Sequence, residues 1–503
     1  MTDQWPRRVE DFVRRLREQH PRRVVMQDPA MALTGTALSE AVEQTQRTLG
    51  AAGLAAGDRA AIVGENSAAL AVAYFAVLGR GAWPLLLNAR LTAAETDRIY
   101  RHADARALLF TTAISPAAAE HANLAGGKEL PGGLGLKIAI LQPREPERAT
   151  GDPSDVAALL YTSGTTGAPK GVMLTHANLL FVAHQSGALR QIGPDDRTYA
   201  VLPMSHVFGL SSAFLGSLAY GAELRLVPRF DPEAVARALA EDGITVFQGV
   251  PTMYARLVEL ADRRGTPLPA PRLRYLSSGG APIDVGLKRR VEAMWGLPLH
   301  NGYGLTETSP TVATTRVESP ADDDSVGLAL PNVELRIAEP ATGQALRPGE
   351  IGEIWVRGPG VMKGYYEAPD ETAKTITPDG WLKSGDLGRL DAHGNLYVVG
   401  RLKELIIRSG FNVYPPEVEA VLSQHPDVGI AAVVGKKVEG NEEVVAFLEP
   451  KPGRTIDIES VRALAVERLA PYKRPSRYVV QALPVTAAGK IRKAELARLV
   501  DRL

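Results

Sequence analysis

Ten residues beginning at Thr162 gather groups that suit a polyanion. The run Thr162-Ser163-Gly164-Thr165-Thr166-Gly167-Ala168-Pro169-Lys170-Gly171 holds four hydroxyls, three glycines and a lysine. Glycine lets a backbone approach a phosphate closely and leaves its N–H groups free to point at it, hydroxyls add donors, and a lysine adds a point charge. The apolar run 157–161 ahead of it reads as a strand, and a helix start near Asn178 would add its dipole. The pattern is not that of a Walker A loop: Pro169 precedes Lys170 and Gly171 follows it, so Gly-Lys-Ser/Thr is absent.

Three further stretches carry chemistry. In Asn301-Gly302-Tyr303-Gly304-Leu305-Thr306-Glu307, Tyr303 offers a ring to stack on a base. Thr306 offers a hydroxyl for a phosphate oxygen. Glu307 offers a carboxylate for Mg²⁺, which takes oxygen ligands and commonly binds through one or two carboxylates plus phosphates. In Trp381-Leu382-Lys383-Ser384-Gly385-Asp386, the carboxylate can accept from both hydroxyls of a ribose. Near the end, Gly489-Lys490 follows Pro484 at a distance of five residues. A lysine that touches a carboxylate and the phosphate it attacks would orient the acid and offset developing charge.

The string YTSGTTGAPKG at 161–171 resembles the AMP-binding signature of the adenylate-forming superfamily, which comprises acyl- and aryl-CoA synthetases, the adenylation domains of peptide synthetases and beetle luciferases. The other stretches resemble later motifs of that superfamily in the same order, so the likeness runs through nearly the whole chain. It implies an AMP-forming ligase. A carboxylic acid and Mg·ATP give an acyl-adenylate and diphosphate, then a thiol takes the acyl group and AMP leaves. It implies ATP, Mg²⁺ and coenzyme A as cofactors and substrates. By resemblance, Gly279, Gly280, Ala281 and Pro282 pass beside the adenine, Asp386 binds the ribose with support from Arg401, and Lys490 is the catalytic lysine. His206, in Pro203-Met204-Ser205-His206, flanks the acyl pocket and the route of the thiol. Lys403 matches a hinge about which the small domain swings; Ser409, Gly410 and Phe411 then meet the pantetheine arm, and Lys473 with Arg474 could attract the phosphates of coenzyme A.

Pocket positions carried over by the resemblance are Phe208, Gly209, Ser212, Gln248, Gly249, Val250, Ser278, Gly279, Gly302, Leu305 and Pro310. They are mostly small or apolar, which suits an uncharged aryl, arylpropenoic or medium-chain aliphatic acid. A dicarboxylate needs a base, and Asn301 rather than an arginine precedes Gly302. A malonate-type ligase is therefore the weaker alternative, as is an enzyme that loads a carrier protein, since the chain carries no carrier domain.

Positioning these groups takes an alternation of short strands and helices. Helix spacing appears at 36–49 behind a threonine suited to cap it and at 66–78. Strand-like runs fall at 60–63, 83–87, 157–161, 223–227, 244–247 and 273–276. Such alternation predicts an α/β fold: a large N-terminal domain, 1–400, of parallel or mixed sheets flanked by helices. The texture past about 320, as at 333–337 and 352–357, predicts an antiparallel β subdomain. Residues 401–503 read as a small mobile α+β domain, with helices at 416–423 and 458–469 and strands at 430–434, 444–448 and 478–481. The Gly-, Ala- and Pro-rich segment 118–147 reads as an irregular surface connection.

Composition excludes other classes. A chain of 503 residues is too long for one small core. Lysine plus arginine and aspartate plus glutamate each number 57, so no net field draws nucleic acid or an anionic membrane. The absence of cysteine removes disulfides, thiolate metal sites and a cysteine nucleophile. The charged start lacks the apolar core of a secretory signal, and the apolar stretch 68–79 is too short to span a bilayer. The expectation is a cytoplasmic monomer or homodimer whose partners are small molecules, with no nucleic acid and no membrane.

Overall fold

A computed structural model describes residues 5–140, 155–163, 169–438, 441–485 and 491–500. Two sheets form the body of the N-terminal part. In the larger, of nine strands, the strands Leu299–Gly304, Tyr275–Gly279, Val246–Gly249, Arg197–Ala200, Glu223–Leu226 and Val24–Gln27 lie side by side and parallel, with antiparallel strands at both edges. The second has five strands around Arg59–Gly64.

The helix Ala68–Gly79 lies between them. Its sequence is apolar all round, which suits a helix with no face on water. Leu70, Val72, Tyr74 and Phe75 are buried in one cluster with Ile62 and Leu86 of the smaller sheet and Leu224 and Leu226 of the larger. Each such side chain contributes about 1.5–3 kcal/mol by leaving water. Ser67 caps the helix by accepting from the Leu70 amide at 3.1 Å. Among the described residues, no helix is long and apolar enough to cross a membrane.

Most expected elements form, with informative differences. The helix expected at 36–49 spans Gly35–Ala51, and its cap is Thr34, which accepts from Ala37. The strands expected at 244–247 and 273–276 start two residues further on, at Val246–Gly249 and Tyr275–Gly279. Parallel neighbours carry the ladder on through the polar Gln248 and the Ser277-Ser278 pair. The segment expected to be irregular from 118 is so only in its middle, about 125–135: before it, helix Pro116–Leu124 starts on a Ser115 cap with proline in its first turn. Strand Leu136–Ile140 then pairs antiparallel with Ala105–Thr111; residues 141–147 lie outside the described part.

A four-stranded antiparallel sheet, with Glu334–Ala338, Gly352–Arg357, Leu382–Leu390 and Leu396–Arg401 in that order, follows the large sheet. Past the short 3-10 turn Leu402–Glu404 the chain forms a C-terminal domain with sheets and cores of its own. Val428–Val438, Asn441–Pro450 and Arg477–Val480 make a three-stranded sheet packed with helices Pro415–Leu422 and Ile458–Arg468. Helix Lys493–Val500 covers its other face through Leu496 and Val500.

Candidate active site

Strands Val156–Ser163 and Pro169–Thr175 pair antiparallel, with Thr162 opposite Lys170 and Ser163 opposite Pro169. The phosphate-loop residues Gly164, Thr165, Thr166 and Gly167 fall between these two strand ends and lie outside the described residues, as does Lys490. The helix expected to lend its dipole starts at His176, beyond all seven residues of the second strand. At about 3.3 Å per residue this sets it some 20 Å from Pro169, so that expectation is corrected. The run 170–175 extends because Gly171 to Thr175 each meet a partner on the first strand.

Lys170 turns back toward a segment two hundred residues away. Its ammonium pairs with Glu371 at 2.5 Å and lies 5.0 Å from the centre of the Tyr365 ring. Hydrogen bonds from Lys170 first, then Lys374, hold the Glu371 carboxyl down at about 2. Tyr365, 8% exposed, sits on the short strand Gly364–Tyr365 that pairs with Val172 and Met173. Its hydroxyl donates to the Glu307 carboxylate at 2.9 Å. Burial and then the Glu307 charge push that hydroxyl well above its ordinary value. The Met362 amide donates to the Glu307 carbonyl at 2.9 Å. Tyr365 therefore connects the strand carrying Lys170 to the 3-10 turn Thr306–Thr308, and nothing in the sequence reading had singled it out.

The large sheet delivers the next groups at the carboxyl ends of its parallel strands, where open α/β sheets bind ligands. Ser278 pairs with Asn301 and Gly279 with Gly302. Gly279 is needed for closeness: a Cβ there would stand 3.2 Å from the Phe208 ring. Gly280 has φ +79 and turns the chain through Ala281 and Pro282. Asn301 is buried, and its amide nitrogen donates to the carbonyls of Asp324 and Ser325, each at 3.3 Å. Its side chain holds a loop.

Tyr303 reaches across to the antiparallel sheet, where its hydroxyl donates to Asp386 at 2.7 Å. Burial and the Asp386 charge push that hydroxyl far up. Asp386 faces Arg401 across two strands and pairs with it at 3.2 Å. Against the cost of partial burial, the charges of Asp386, Glu404, Tyr303 and Glu307 hold the Arg401 guanidinium above its ordinary value. Tyr303, Glu307, Asp386 and Arg401 thus share one neighbourhood. Gly385 makes it possible with φ +71 and an amide that donates to Glu353 at 2.9 Å.

His206 lies in the turn before a π-helical segment, Phe208–Leu215, and its Nδ1 accepts from the Phe208 amide at 3.3 Å. Pi-helical turns recur at functional sites because they re-aim side chains. Gly209 packs against the carbonyls of Pro203 and Leu202 with no room for a Cβ. Ser212 is buried and shares a hydrogen bond with Thr311 at 2.8 Å. Val250 starts helix Pro251–Arg264, and Leu305 donates its amide to the Pro310 carbonyl at 3.2 Å.

In the C-terminal domain, Ser409 and Gly410 turn the hairpin Ile406–Arg408 to Phe411–Val413 with φ +53 and +82. Phe411 is 55% exposed and stacks on Tyr472 with centroids 4.6 Å apart. Lys473 pairs with Glu417 at 2.5 Å. Arg474 is spent on the Leu469 and Val466 carbonyls, at 2.9 and 3.0 Å, so it closes a helix end. Lys403 sits in the turn Leu402–Glu404, and burial, then Arg401, lower its pKa. Glu404 there pairs with Lys493 at 3.4 Å, which also reaches Glu419 at 2.7 Å.

Lys170, Tyr303 and Asp386 come from three different sheets and Glu307 from a turn between strands, and Tyr365 and the Tyr303–Asp386 bond draw them together. The chain belongs to the AMP-binding enzyme family, which it matches over residues 13–366, with the family's C-terminal domain over 417–490. Within that family it is a ligase. Feruloyl-CoA synthase of an Amycolatopsis species is 37% identical over 501 residues, covering 98% of each chain. The anthranilate CoA ligase AuaEII, solved with anthranoyl-AMP, has a TM-score of 0.88 at 25% identity, covering 99% of this chain and 98% of that one. The o-succinylbenzoate coenzyme A synthetase of Bacillus subtilis, solved with ATP and magnesium ion, has a TM-score of 0.82 at 31% identity, covering 96% and 98%.

Proposed function

We propose that this chain is an AMP-forming acyl-CoA synthetase, which joins a carboxylic acid to ATP as an acyl-adenylate and passes the acyl group to the thiol of coenzyme A. The observation that carries the reading is the link through Tyr365: its ring lies against Lys170 and its hydroxyl on Glu307, so a triphosphate lysine and a metal carboxylate come under one side chain.

The roles divide as follows. Thr162, Ser163, the residues 164–167 and Lys170 hold the phosphates. Asp386, braced by Arg401 and Tyr303, takes the ribose, and Gly279 to Pro282 with Gly302 to Gly304 border the adenine. The donor set fits magnesium: Glu307 is one carboxylate with Thr306 beside it, which suits a hard ion that takes its remaining ligands from phosphate and water. When bound, that ion neutralises phosphate charge. Lys490 orients the acid against the α-phosphate in the first half-reaction. The division into 1–400 and 401–503, with Lys403 as hinge, lets the tail withdraw Lys490 and present Ser409, Gly410 and Phe411 to the pantetheine arm. Lys473, now on Glu417 and next to the Tyr472 ring that stacks on Phe411, is the cation for a coenzyme A phosphate.

His206, Phe208, Gly209, Ser212, Val250, Ser278, Leu305 and Pro310 border the acyl group. The acid is uncharged beyond its carboxylate: aryl, arylpropenoic or medium-chain aliphatic. A coenzyme A thioester screen over benzoates, cinnamates, fatty acids and dicarboxylates, comparing kcat/KM, tests this. Acid-dependent diphosphate release with an aryl or aliphatic monoacid is the expected result; release with none of them refutes it.

A further inference from the structure

We infer that Glu371 competes with the diphosphate portion of ATP for the Lys170 ammonium and so sets how readily diphosphate leaves, an inference that rests on the acyl-CoA synthetase reading above. That reading gives Lys170 to the phosphates and leaves Glu371 without a role. Yet the Lys170 Nζ and the Glu371 Oε2 stand 2.5 Å apart. An ammonium is a compact point charge on a flexible stem, and two anions can contest it.

The fold builds this pair; it is not a meeting of two loose arms. Strand Gly364–Tyr365 pairs with Val172 and Met173 of the strand that carries Lys170. The Tyr365 amide donates to the Thr372 hydroxyl at 2.9 Å. That bond fastens helix Pro369–Thr375, with Glu371 on it, to the same strand. The Tyr365 ring lies 5.0 Å from the Lys170 ammonium. One segment therefore supplies both the hydroxyl on Glu307 and the carboxylate on Lys170.

Glu371 also has a second cation. Its Oε1 accepts from Lys374 at 2.8 Å, so it keeps a partner when Lys170 turns to a phosphate. Hydrogen bonds from Lys170 and then Lys374 keep the carboxylate ionised through neutral pH. The two side chains of the pair are 22% and 37% exposed, and ion pairs open to water shift an equilibrium by at most about fivefold. A competitor of that size loosens the hold on a triphosphate without forbidding it. A hold exerted equally on substrate and transition state lowers KM without raising kcat, and one that persists on diphosphate delays its departure.

The test is the dissociation constants of magnesium diphosphate and of AMP, by calorimetry, with KM for Mg·ATP beside them. The proteins are wild type, Glu371→Gln, Glu371→Asp and Lys374→Met, with Glu371→Gln made again in a Lys170→Met background. Glu371→Gln should tighten diphosphate and lower KM for Mg·ATP by about two- to fivefold, with kcat no higher. AMP, which lacks the outer phosphates, should bind as before. Glu371→Asp keeps the charge on a shorter arm and should shift both less. Lys374→Met leaves Glu371 to Lys170 alone and should weaken diphosphate by a similar factor; that side chain is 72% exposed, so the fold tolerates its loss. Without Lys170, Glu371→Gln should change nothing. A diphosphate constant that Glu371→Gln leaves unmoved, an equal shift for AMP, or the same shift in the Lys170→Met background overturns the inference, while acid-dependent diphosphate release by wild type leaves the enzyme class standing. No such release with any acid in the broader screen overturns both.

Discussion

Replacing Tyr365 by phenylalanine removes one oxygen and keeps the ring, which makes it a sharp probe of the link between Lys170 and Glu307. The ring stays 5.0 Å from the ammonium, and the 2.5 Å pair with Glu371 is untouched. What goes is the 2.9 Å donor on Glu307. A hydrogen bond to a charged group contributes about 1.5–3 kcal/mol. Partners that orient a metal ligand are worth about 10–100-fold in affinity or activity. Both figures give a loss of about ten- to a hundredfold in kcat/KM for Mg·ATP. The assay is acid-dependent diphosphate release under varied magnesium, set beside thioester formation from supplied acyl-AMP, which needs no triphosphate. The first should fall and the second hold. A change under about twofold in the first, or equal loss in both, refutes the idea that Tyr365 acts through Glu307.

Lys490→Ala should cut adenylation by about 10²–10³-fold while leaving thioester formation from acyl-AMP; equal loss of the two refutes its assigned role. Lys403→Pro, in the turn Leu402–Glu404, should impair mainly one half-reaction, and unchanged rates in both remove the hinge. His300 gives a pH prediction. Burial first, then Lys288 and Arg190, lower its pKa to about 4. The unfolded chain, near 6.5, takes the proton first as pH falls. Stability from the neutral ring is thus complete above about 6.5 and lost between there and about 4, on the order of 3 kcal/mol. Urea unfolding of His300→Asn should show a flatter pH dependence in that window; an unchanged slope sinks the assignment.

The candidate site was legible where its residues sit in short contiguous strings. Tyr303 to Glu307 and the Ser384-Gly385-Asp386 turn stand out by residue type and spacing, and the structure brings Tyr303 and Asp386 together. What escaped acts across long separations. Tyr365 meets Glu307 and Glu371 meets Lys170 through strand pairing that no local period encodes. A tyrosine after glycine with a proline and acids following was the available signal, too weak alone. Periodicity found the strands but stopped at their polar ends, so Gln248 and Ser277 fell beyond the expected boundaries at 247 and 276. Composition misjudged 118–124 because alanine suits a loop as well as a helix; the Ser115 cap and Pro116 were the better guide.

Arg401 answers to two carboxylates, Asp386 at 3.2 Å and Glu404 at 3.9 Å, and Glu404 in turn holds Lys493 at 3.4 Å. A guest that hydrogen-bonds to Asp386 competes with Arg401 for the same lone pairs, and the grip released there passes toward Glu404. Occupancy of one carboxylate would then be felt along a string of charges reaching Lys493 of the helix Lys493–Val500. Such coupling would be reciprocal: a change at Glu404 or Lys493 would alter how firmly the guest is kept.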